Sequence, residues 1–416
     1  MARTVHIIGA GVAGLSSAVE LTEQGQAVVV HEAASNAGGR CRSYHDPALD
    51  MLIDNGNHLV LSGNHAVMRF LDMIGARQAL HGADTASFSF VDLADNTRWT
   101  LRMSEGRVPW WIFDANARAP GTTVLDHLPM LKLLWASPES RIGDVIACEG
   151  PVYDRFLHPL LLAALNIDPR EGSAKLAAGV LGETITRGGR TCHPLIAHGL
   201  SQAFIDPAIA AIERRGGSVR LGRRLRALGV DGARVSTLDF GDGDTIPLTP
   251  GDAVVLAVPP TVAASLIPGL SVPTEFSGIV NAHFKFQHPS QGPAMLGAVN
   301  GTVEWLFVFP DRLSVTISGA NRLMDADRDG LAQKIWYEVT RMLGISAPLP
   351  PWQIVRERRA TFAATPAQDA MRPPAETSLA NLVLAGDWTQ TGLPATIEGA
   401  VRSGRLAFQA ISDQVH

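Results

Sequence analysis

Gly9, Gly11 and Gly14 form a G-x-G-x-x-G run directly after the apolar stretch Val5-His6-Ile7-Ile8. Glycines at that spacing suit phosphate chemistry. Gly9 permits a tight turn, Gly11 lets backbone approach a pyrophosphate, and Gly14 lets a helix pack closely on strands. Val12 and Ala13 lead into a helix read over 15–23, whose N-terminus offers unpaired N–H groups and partial positive charge to an anion. Ala27-Val28-Val29-Val30-His31 reads as a buried parallel strand. Glu32, with Ala33 beside it, ends that strand eighteen residues past Gly14. Its carboxylate can accept hydrogen bonds from a ribose diol and disfavours a 2′-phosphate. Alone, three glycines make an ordinary turn. Set in a βαβ unit of about 30 residues with an acid at its end, they read as a dinucleotide site. NAD and FAD both fit at this point.

A second glycine pair follows. Gly38-Gly39-Arg40 comes six residues after Glu32, with Ser43 close behind. Two glycines here let the chain run along a further part of a dinucleotide, and Arg40 offers a cation for a phosphate or flavin. Asp54-Asn55-Gly56-Asn57-His58 comes next and holds groups able to move a proton. At the far end, the apolar run Leu382-Val383-Leu384-Ala385 stops at Gly386-Asp387. Beyond it a helix reads over 395–411, with Pro394 near its first position and Thr396, Ile397 and Glu398 in its first turn. Between the ends, Leu225-Arg226-Ala227-Leu228 reads as a strand and 238–249 as a β-meander. Ala253-Val254-Val255-Leu256 reads as a further strand, stopped by Pro259-Pro260.

Together these segments resemble the FAD-containing amine oxidase and phytoene desaturase superfamily, whose second motif has the form G-G-R-x-x-S. The resemblance implies FAD as cofactor. It places the pyrophosphate at Gly9, Gly11, Val12, Ala13 and Gly14, and the ribose at Glu32 and Ala33. It sets Gly38, Gly39 and Arg40 along the dinucleotide, the backbone at Leu225 against the adenine, and Gly56, Asn57 and His58 beside the isoalloxazine ring. Gly386 and Asp387 then meet the ribitol or pyrophosphate, and Thr396 and Ile397 the N1/O2 edge of the flavin. Reduced flavin is anionic at N1, and a helix N-terminus favours such charge by roughly 0.3–1 kcal/mol.

Within the superfamily the chain is most similar to the hydroxysqualene dehydroxylases. The similarity is carried by Leu157-His158-Pro159-Leu160-Leu161-Leu162-Ala163-Ala164-Leu165-Asn166, Ile53-Asp54-Asn55-Gly56-Asn57-His58-Leu59, Ile279-Val280-Asn281-Ala282-His283-Phe284, Val303-Glu304-Trp305-Leu306-Phe307, and the run from Ala385 to Glu398. Asn57 departs from the subgroup's usual Gln, Lys285 and Gln287 from an aromatic and an acid, and 109–141 matches poorly. The resemblance implies reductive removal of the allylic hydroxyl of hydroxysqualene, giving squalene for hopanoid biosynthesis, with hydride from N5 of reduced flavin. That chemistry needs an acid near the leaving oxygen. His58 is the expected acid, with Asp54 or Asn57 as partner; the blander reading is that these groups only bind backbone or flavin. His283 and Lys285 are weaker candidates.

These groups require a fold that brings the two ends of the chain together. The expected class is α/β, with an α+β substrate region. It comprises a Rossmann-like FAD-binding domain, discontinuous over 1–70, 195–262 and 375–416, and a substrate-binding domain over 71–194 and 263–374. At 416 residues and 46% hydrophobic, the chain can bury two cores. An isoprenoid substrate needs a long apolar tunnel. Val108-Pro109-Trp110-Trp111-Ile112-Phe113 and the run from Leu125 to Trp135 could line its mouth or rest on a membrane, although the second run reads first as core packing.

Other classes fall away. A net charge of −5 with no basic run gives no footprint for nucleic acid. Cys41, Cys148 and Cys192 are scattered and suggest neither a metal site nor a disulfide framework, so a reducing, cytoplasmic setting is expected, with peripheral contact at the inner membrane. No secretory leader and no apolar run of about 20 residues is seen. A second G-x-G-x-x-G unit is missing, so an external electron donor is expected. The first rival is a carotenoid or phytoene desaturase, with the electrons running the other way. An amine oxidase ranks lower, because Tyr44, Tyr153 and Tyr337 all lie far in sequence from 386–398. A flavin-binding scaffold without activity is the non-enzymatic reading.

Overall fold

The computed structural model describes residues 3–241, 243–288 and 294–413. Five strands form a parallel sheet in the order Ser218–Arg220, Ala27–His31, Thr4–Ile8, Ala253–Leu256, Leu382–Leu384. Both faces are covered, which explains why these strands are apolar throughout rather than alternating. Val5, Ile7, Val28, Val30, Val255 and Val383 pack with the helices Val12–Glu23 and Ile397–Asp413. Ile8, Val254, Leu256 and Leu384 pack on the opposite side with Val235, Leu238 and Phe240 of a three-stranded meander. That meander runs Leu225–Asp231, Arg234–Phe240, Asp244–Pro247, so it begins earlier than the expected 238. The strand order reverses between Thr4–Ile8 and Ala253–Leu256, and a crevice at such a point is where open α/β sheets bind ligands.

A second, seven-stranded sheet runs Trp352–Phe362, Phe276–Lys285, Arg312–Ile317, Trp305–Val308, Met295–Val299, Ser87–Asp92, Arg98–Arg102. The helix Arg328–Leu343 fills one face through Leu331, Ile335, Trp336 and Val339. Phe90, Trp305 and Phe307 look the other way, into a core shared with the helical segments 153–165 and 174–183. The helix His65–Ile74 packs with the first sheet's core through Val67, Phe70 and Leu71, so the boundary drawn at residue 70 falls inside a helix.

The apolar 156–167 stretch becomes a π-helical turn, Tyr153–Leu157, continued by the α-helix His158–Leu165. Asn166 ends it at φ 54°, a left-handed conformation that Asn tolerates. Its buried amide is fully used: Nδ2 donates to Ser277 O and Thr361 Oγ1, and Oδ1 accepts from Gly319 N.

One expectation is met on one face only. The run Leu125–Trp135 is a 3-10 helix, and Leu125, Leu128, Leu131 and Trp135 are exposed while His127, Met130 and Leu133 are buried. At three residues per turn, 125, 128 and 131 share one face, so the run is two-faced: Met130 and Leu133 join the core while the other face meets solvent. No helix among the described residues is long and apolar enough to cross a membrane.

Candidate active site

The turn after the first strand is built by exclusion. Gly9 has φ +111°, and a Cβ there would lie 2.3 Å from Ala257 O; at Gly14 it would lie 2.0 Å from Gly9 O. Neither position tolerates a side chain. Gly11 differs, because nothing lies within 4 Å of its Cβ direction. It is the N-cap of the helix Val12–Glu23, with no capping side chain and no acid in the first turn. The amides of Val12, Ala13 and Gly14 therefore have no intrahelical acceptor. The helix begins at Val12 rather than 15 because Gly11 takes the cap. Gly38 N donates to Ala10 O at 2.8 Å, and the Cβ direction of Gly39 comes within 3.6 Å of Gly11 Cα. Two glycine loops thus meet with no side chain between them.

Glu32 Oε2 accepts from Ala10 N and Oε1 from Ala34 N, each at 2.8 Å. Each carboxylate oxygen keeps capacity for a ribose hydroxyl. Ala33 is exposed beside it, and Leu225 is buried opposite Phe240.

The far end of the chain closes on this cradle. Arg40 Nη2 contacts Asp387 Oδ1 at 2.7 Å, and Nη1 reaches Ala360 O at 2.5 Å. The Asp387 carboxylate raises the Arg40 pKa further, so the guanidinium stays charged. Gly386 N donates to Ser403 Oγ. The last helix starts at Ile397, because Thr396 Oγ1 takes Gly399 N at 3.0 Å as its cap; Pro394 lies outside it. Glu398 accepts from Ala66 N and Val67 N, capping the helix His65–Ile74 from the other end of the chain.

The loop 54–58 is held from several sides. Asp54 is buried, with Oδ1 accepting from Ser43 Oγ at 2.5 Å and Leu200 N at 2.9 Å, while Arg312 stands 3.7 Å from Oδ2. Burial raises its pKa against these partners. Asn57 Nδ2 donates to Thr316 Oγ1 at 3.1 Å, and Thr316 in turn donates to Asn281 Oδ1. Asn281 also bonds Asn55 O and stands against Gly56. Asn57 Oδ1 is buried without a partner, an acceptor that a bound group would satisfy. His58 is partly buried; burial first, then the nearby Arg40 charge, lowers it to about 4.

The structure thus brings Gly9–Gly14, Glu32, Gly38–Arg40 and Asp387 around one crevice, with Asn57 and His58 at its end toward the second sheet. Asp54 is a hub tying Ser43 to Arg312. His283 is fully buried, its Nδ1 on Ser314 Oγ and its Nε2 unpaired, and Lys285 Nζ holds Leu49 O. Arg372 escaped notice in the sequence, although its fully buried guanidinium binds Asp369, the carbonyls of Asp387 and Thr389, and Thr391 Oγ1. Nothing in its M-R-P-P context signals this. Among the described residues, no cluster of His, Cys, Asp or Glu could hold a metal ion.

Burial holds His31 at about 3, His58 at about 4 and His283 at about 4. Unfolding returns each to about 6.5, so the unfolded chain binds more protons between about pH 6.5 and pH 4. This contribution to stability is complete above pH 6.5 and is lost as pH falls through that window. His283→Gln is expected to give a shallower decline of urea midpoint with falling pH; a slope equal to the wild type's would refute the role of His283.

The family described as flavin containing amine oxidoreductase matches residues 12–412. The hydroxysqualene dehydroxylase of Rhodopseudomonas palustris is 57% identical over 99% of both chains, and that of Sinorhizobium fredii is 52% identical over 99% of both. Among solved structures, the cyclohexylamine oxidase of Brevibacterium oxydans superposes with a TM-score of 0.73 at 18% identity, over all of both chains. The cofactor of this family is FAD, and the fold is that of the FAD-dependent amine oxidases. The chain belongs to the flavin-containing amine oxidoreductases and, within them, to the hydroxysqualene dehydroxylases.

Proposed function

We propose that this chain reductively dehydroxylates hydroxysqualene to squalene. The observation that carries the reading is the full-length identity of 57% and 52% to two hydroxysqualene dehydroxylases, with the Arg40–Asp387 pair joining the first and last cofactor segments. The orphan Asn57 oxygen, the uncapped helix at Val12 and the open space at Gly11 fit FAD. Gly9, Gly11, Val12, Ala13 and Gly14 would hold its pyrophosphate, Glu32 and Ala33 the ribose, and Leu225 the adenine. Gly38, Gly39, Arg40, Gly386 and Asp387 would follow its middle, while Gly56, Asn57, His58, Thr396 and Ile397 would meet the ring. FAD, once reduced, supplies the hydride.

The chain's own residues do the rest. Phe90, Trp99, Trp305 and Phe307 keep water from the substrate region. A neutral His58 and the pinned Asn57 orient by hydrogen bonding, and Asp54 stiffens their loop. Segments 1–70, 195–262 and 375–416 act as the cofactor domain, and 71–194 and 263–374 as the substrate domain. Electrons for the flavin come from an external donor.

The test is anaerobic. Photoreduced protein mixed with hydroxysqualene should reoxidise its flavin and release squalene in equal amount. No reoxidation, together with flavin reduction by phytoene in the oxidised protein, would make it a desaturase instead.

The substrate arrives from lipid. Val108, Trp110 and Phe113 are exposed beside Leu125, Leu128, Leu131 and Trp135, and the two segments are joined where the Trp111 ring meets His127 at 5.5 Å. This patch rests on a membrane surface. Burying half of an indole is worth roughly 2 kcal/mol. The double variant Trp110→Ser/Trp135→Ser is therefore expected to lose at least tenfold in liposome flotation with its FAD content unchanged. Wild-type protein remaining in the aqueous fraction would refute the contact.

A further inference from the structure

We propose that Asn281 and Thr316 are positioning residues that lock the Asn57 side chain with its amide oxygen, rather than its NH2, presented to the flavin ring, so that the site favours the reduced cofactor. This rests on Asn57 lying beside the ring, as proposed above. Asn281 and Thr316 stand directly opposite one another in the antiparallel pair formed by Phe276–Lys285 and Arg312–Ile317. Successive side chains of a strand alternate between its two faces. Val280, Ala282, Val315 and Ile317 pack with the helix Arg328–Leu343. Asn281 and Thr316 are therefore on the other face, where the loop 54–58 meets the sheet.

The direction of every hydrogen bond on that face is dictated from both ends, because a backbone carbonyl only accepts. Asn281 Nδ2 donates to Asn55 O at 3.3 Å, so Asn281 Oδ1 is the atom left for Thr316. A Cβ at Gly56 would stand 3.0 Å from that Nδ2, and the glycine leaves Asn281 room to reach the loop. Thr316 Oγ1 spends its one proton on Asn281 Oδ1 at 2.8 Å, and the same oxygen takes the Asn57 N–H at 3.4 Å. Thr316 Oγ1 is then an acceptor toward Asn57, whose Nδ2 donates to it at 3.1 Å and to Val315 O at 3.4 Å. Turning the Asn57 amide over would set its oxygen against two acceptors. Asn57 Oδ1 is what remains: a buried acceptor, directed away from the strand and without a partner.

The two oxidation states of a flavin ask for opposite neighbours at N5. The oxidised ring has a bare acceptor there, and the reduced ring has an N–H. An amide oxygen repels the first and accepts from the second, whereas an NH2 group does the reverse. An amide that cannot turn over therefore binds reduced FAD more tightly than oxidised FAD, and that difference in affinity raises the midpoint potential of the bound cofactor. Reduced flavin is the form from which the proposed dehydroxylation draws its hydride.

The test is the midpoint potential of the flavin in the FAD-loaded protein, measured anaerobically against a reference dye. Thr316→Val removes both the proton that Asn281 Oδ1 takes and the lone pair that Asn57 Nδ2 needs. The ratio of reduced to oxidised flavin at a fixed potential should fall roughly tenfold, a drop of about 30 mV for a two-electron couple. Thr316→Ser, which keeps the hydroxyl, should restore it. Reduced FAD should bind more weakly to Thr316→Val by the same factor, with oxidised FAD bound no less tightly. Asn57→Leu deletes the oxygen outright and should lower the potential at least as far. With FAD isotopically labelled at N5, the N–H proton resonance of the reduced holoenzyme should move upfield in both variants.

A wild-type potential in either Thr316→Val or Asn57→Leu would overturn the proposal. So would a Thr316→Val protein that binds both oxidation states more weakly by one common factor, because a merely structural role does that and leaves the potential where it was. Should Thr316→Val fail to fold, Asn57→Leu decides alone. A potential that falls as expected in a protein whose wild type leaves hydroxysqualene unchanged would keep the amide lock and remove the dehydroxylation instead.

Discussion

Gly14→Ala is expected to yield a colourless protein. The added Cβ would lie 2.0 Å from Gly9 O and 3.1 Å from Ala257 Cβ. Gly9 cannot retreat, because its own Cβ direction runs into Ala257 O at 2.3 Å and its N–H is tied to His31 O. The helix must therefore lift from the sheet, taking the Val12 and Ala13 amides out of line with a diphosphate. Overpacking of this kind costs about 1–3 kcal/mol, and FAD affinity should fall at least 100-fold. Gly11→Ala separates the two effects. Its Cβ meets nothing within 4 Å, so the apoprotein should unfold at the wild-type urea midpoint. It should still bind FAD poorly, because the methyl fills space needed by the phosphate. Flavin absorbance per protein and urea titration of both apoproteins decide the matter. A Gly14→Ala protein that is fully yellow would disprove the close-packed turn.

Such positions were legible in the sequence because backbone geometry there admits one residue type. Gly9, Gly14 and the βαβ frame are constraints of a few ångströms within 32 residues, and composition reports them directly. Helix starts were displaced by caps that local reading undervalued: Gly11 moved one start to Val12, and Thr396 moved the other to Ile397. The run 125–135 was legible on one face only, for a physical reason. Its apolar residues satisfy a buried pattern, but Pro129 and the tighter 3-10 pitch turn 125, 128 and 131 outward together.

Long-range pairs were beyond the sequence. Arg40 and Asp387 are 347 residues apart; each was expected along the cofactor, but their contact with one another was not. His58 was expected to be the acid; burial first and then the Arg40 charge lower it to about 4, which its own segment of sequence does not signal.

Arg372 presents the same situation in its strongest form, and its removal should be the most damaging single change. The side chain is 1% exposed and pairs with Asp369 at 2.9 Å. It also stacks on Phe362, 4.8 Å from the ring centroid. Nη2 gathers the carbonyls of Asp387 and Thr389 and the hydroxyl of Thr391 into one fan, which fixes the loop that presents Asp387 to Arg40. Arg372→Leu leaves a buried carboxylate with only the half-exposed Lys175 opposite, and two loop carbonyls without the donor they share. Breaking a buried pair in this way costs about 3–5 kcal/mol. The urea midpoint should fall accordingly and FAD should be lost, since the Arg40–Asp387 clasp is no longer held. Arg372→Lys should fail almost as badly, because an ammonium lacks the planar fork that reaches Asp369 and the loop at once. Asp369→Asn/Arg372→Leu should be less unstable than the sum of the single changes, because the stranded charge is gone, yet should stay deficient in FAD, because the loop is still unheld. If Arg372→Leu kept the wild-type midpoint and flavin content, the buried fan would be an ornament of the loop and not its support.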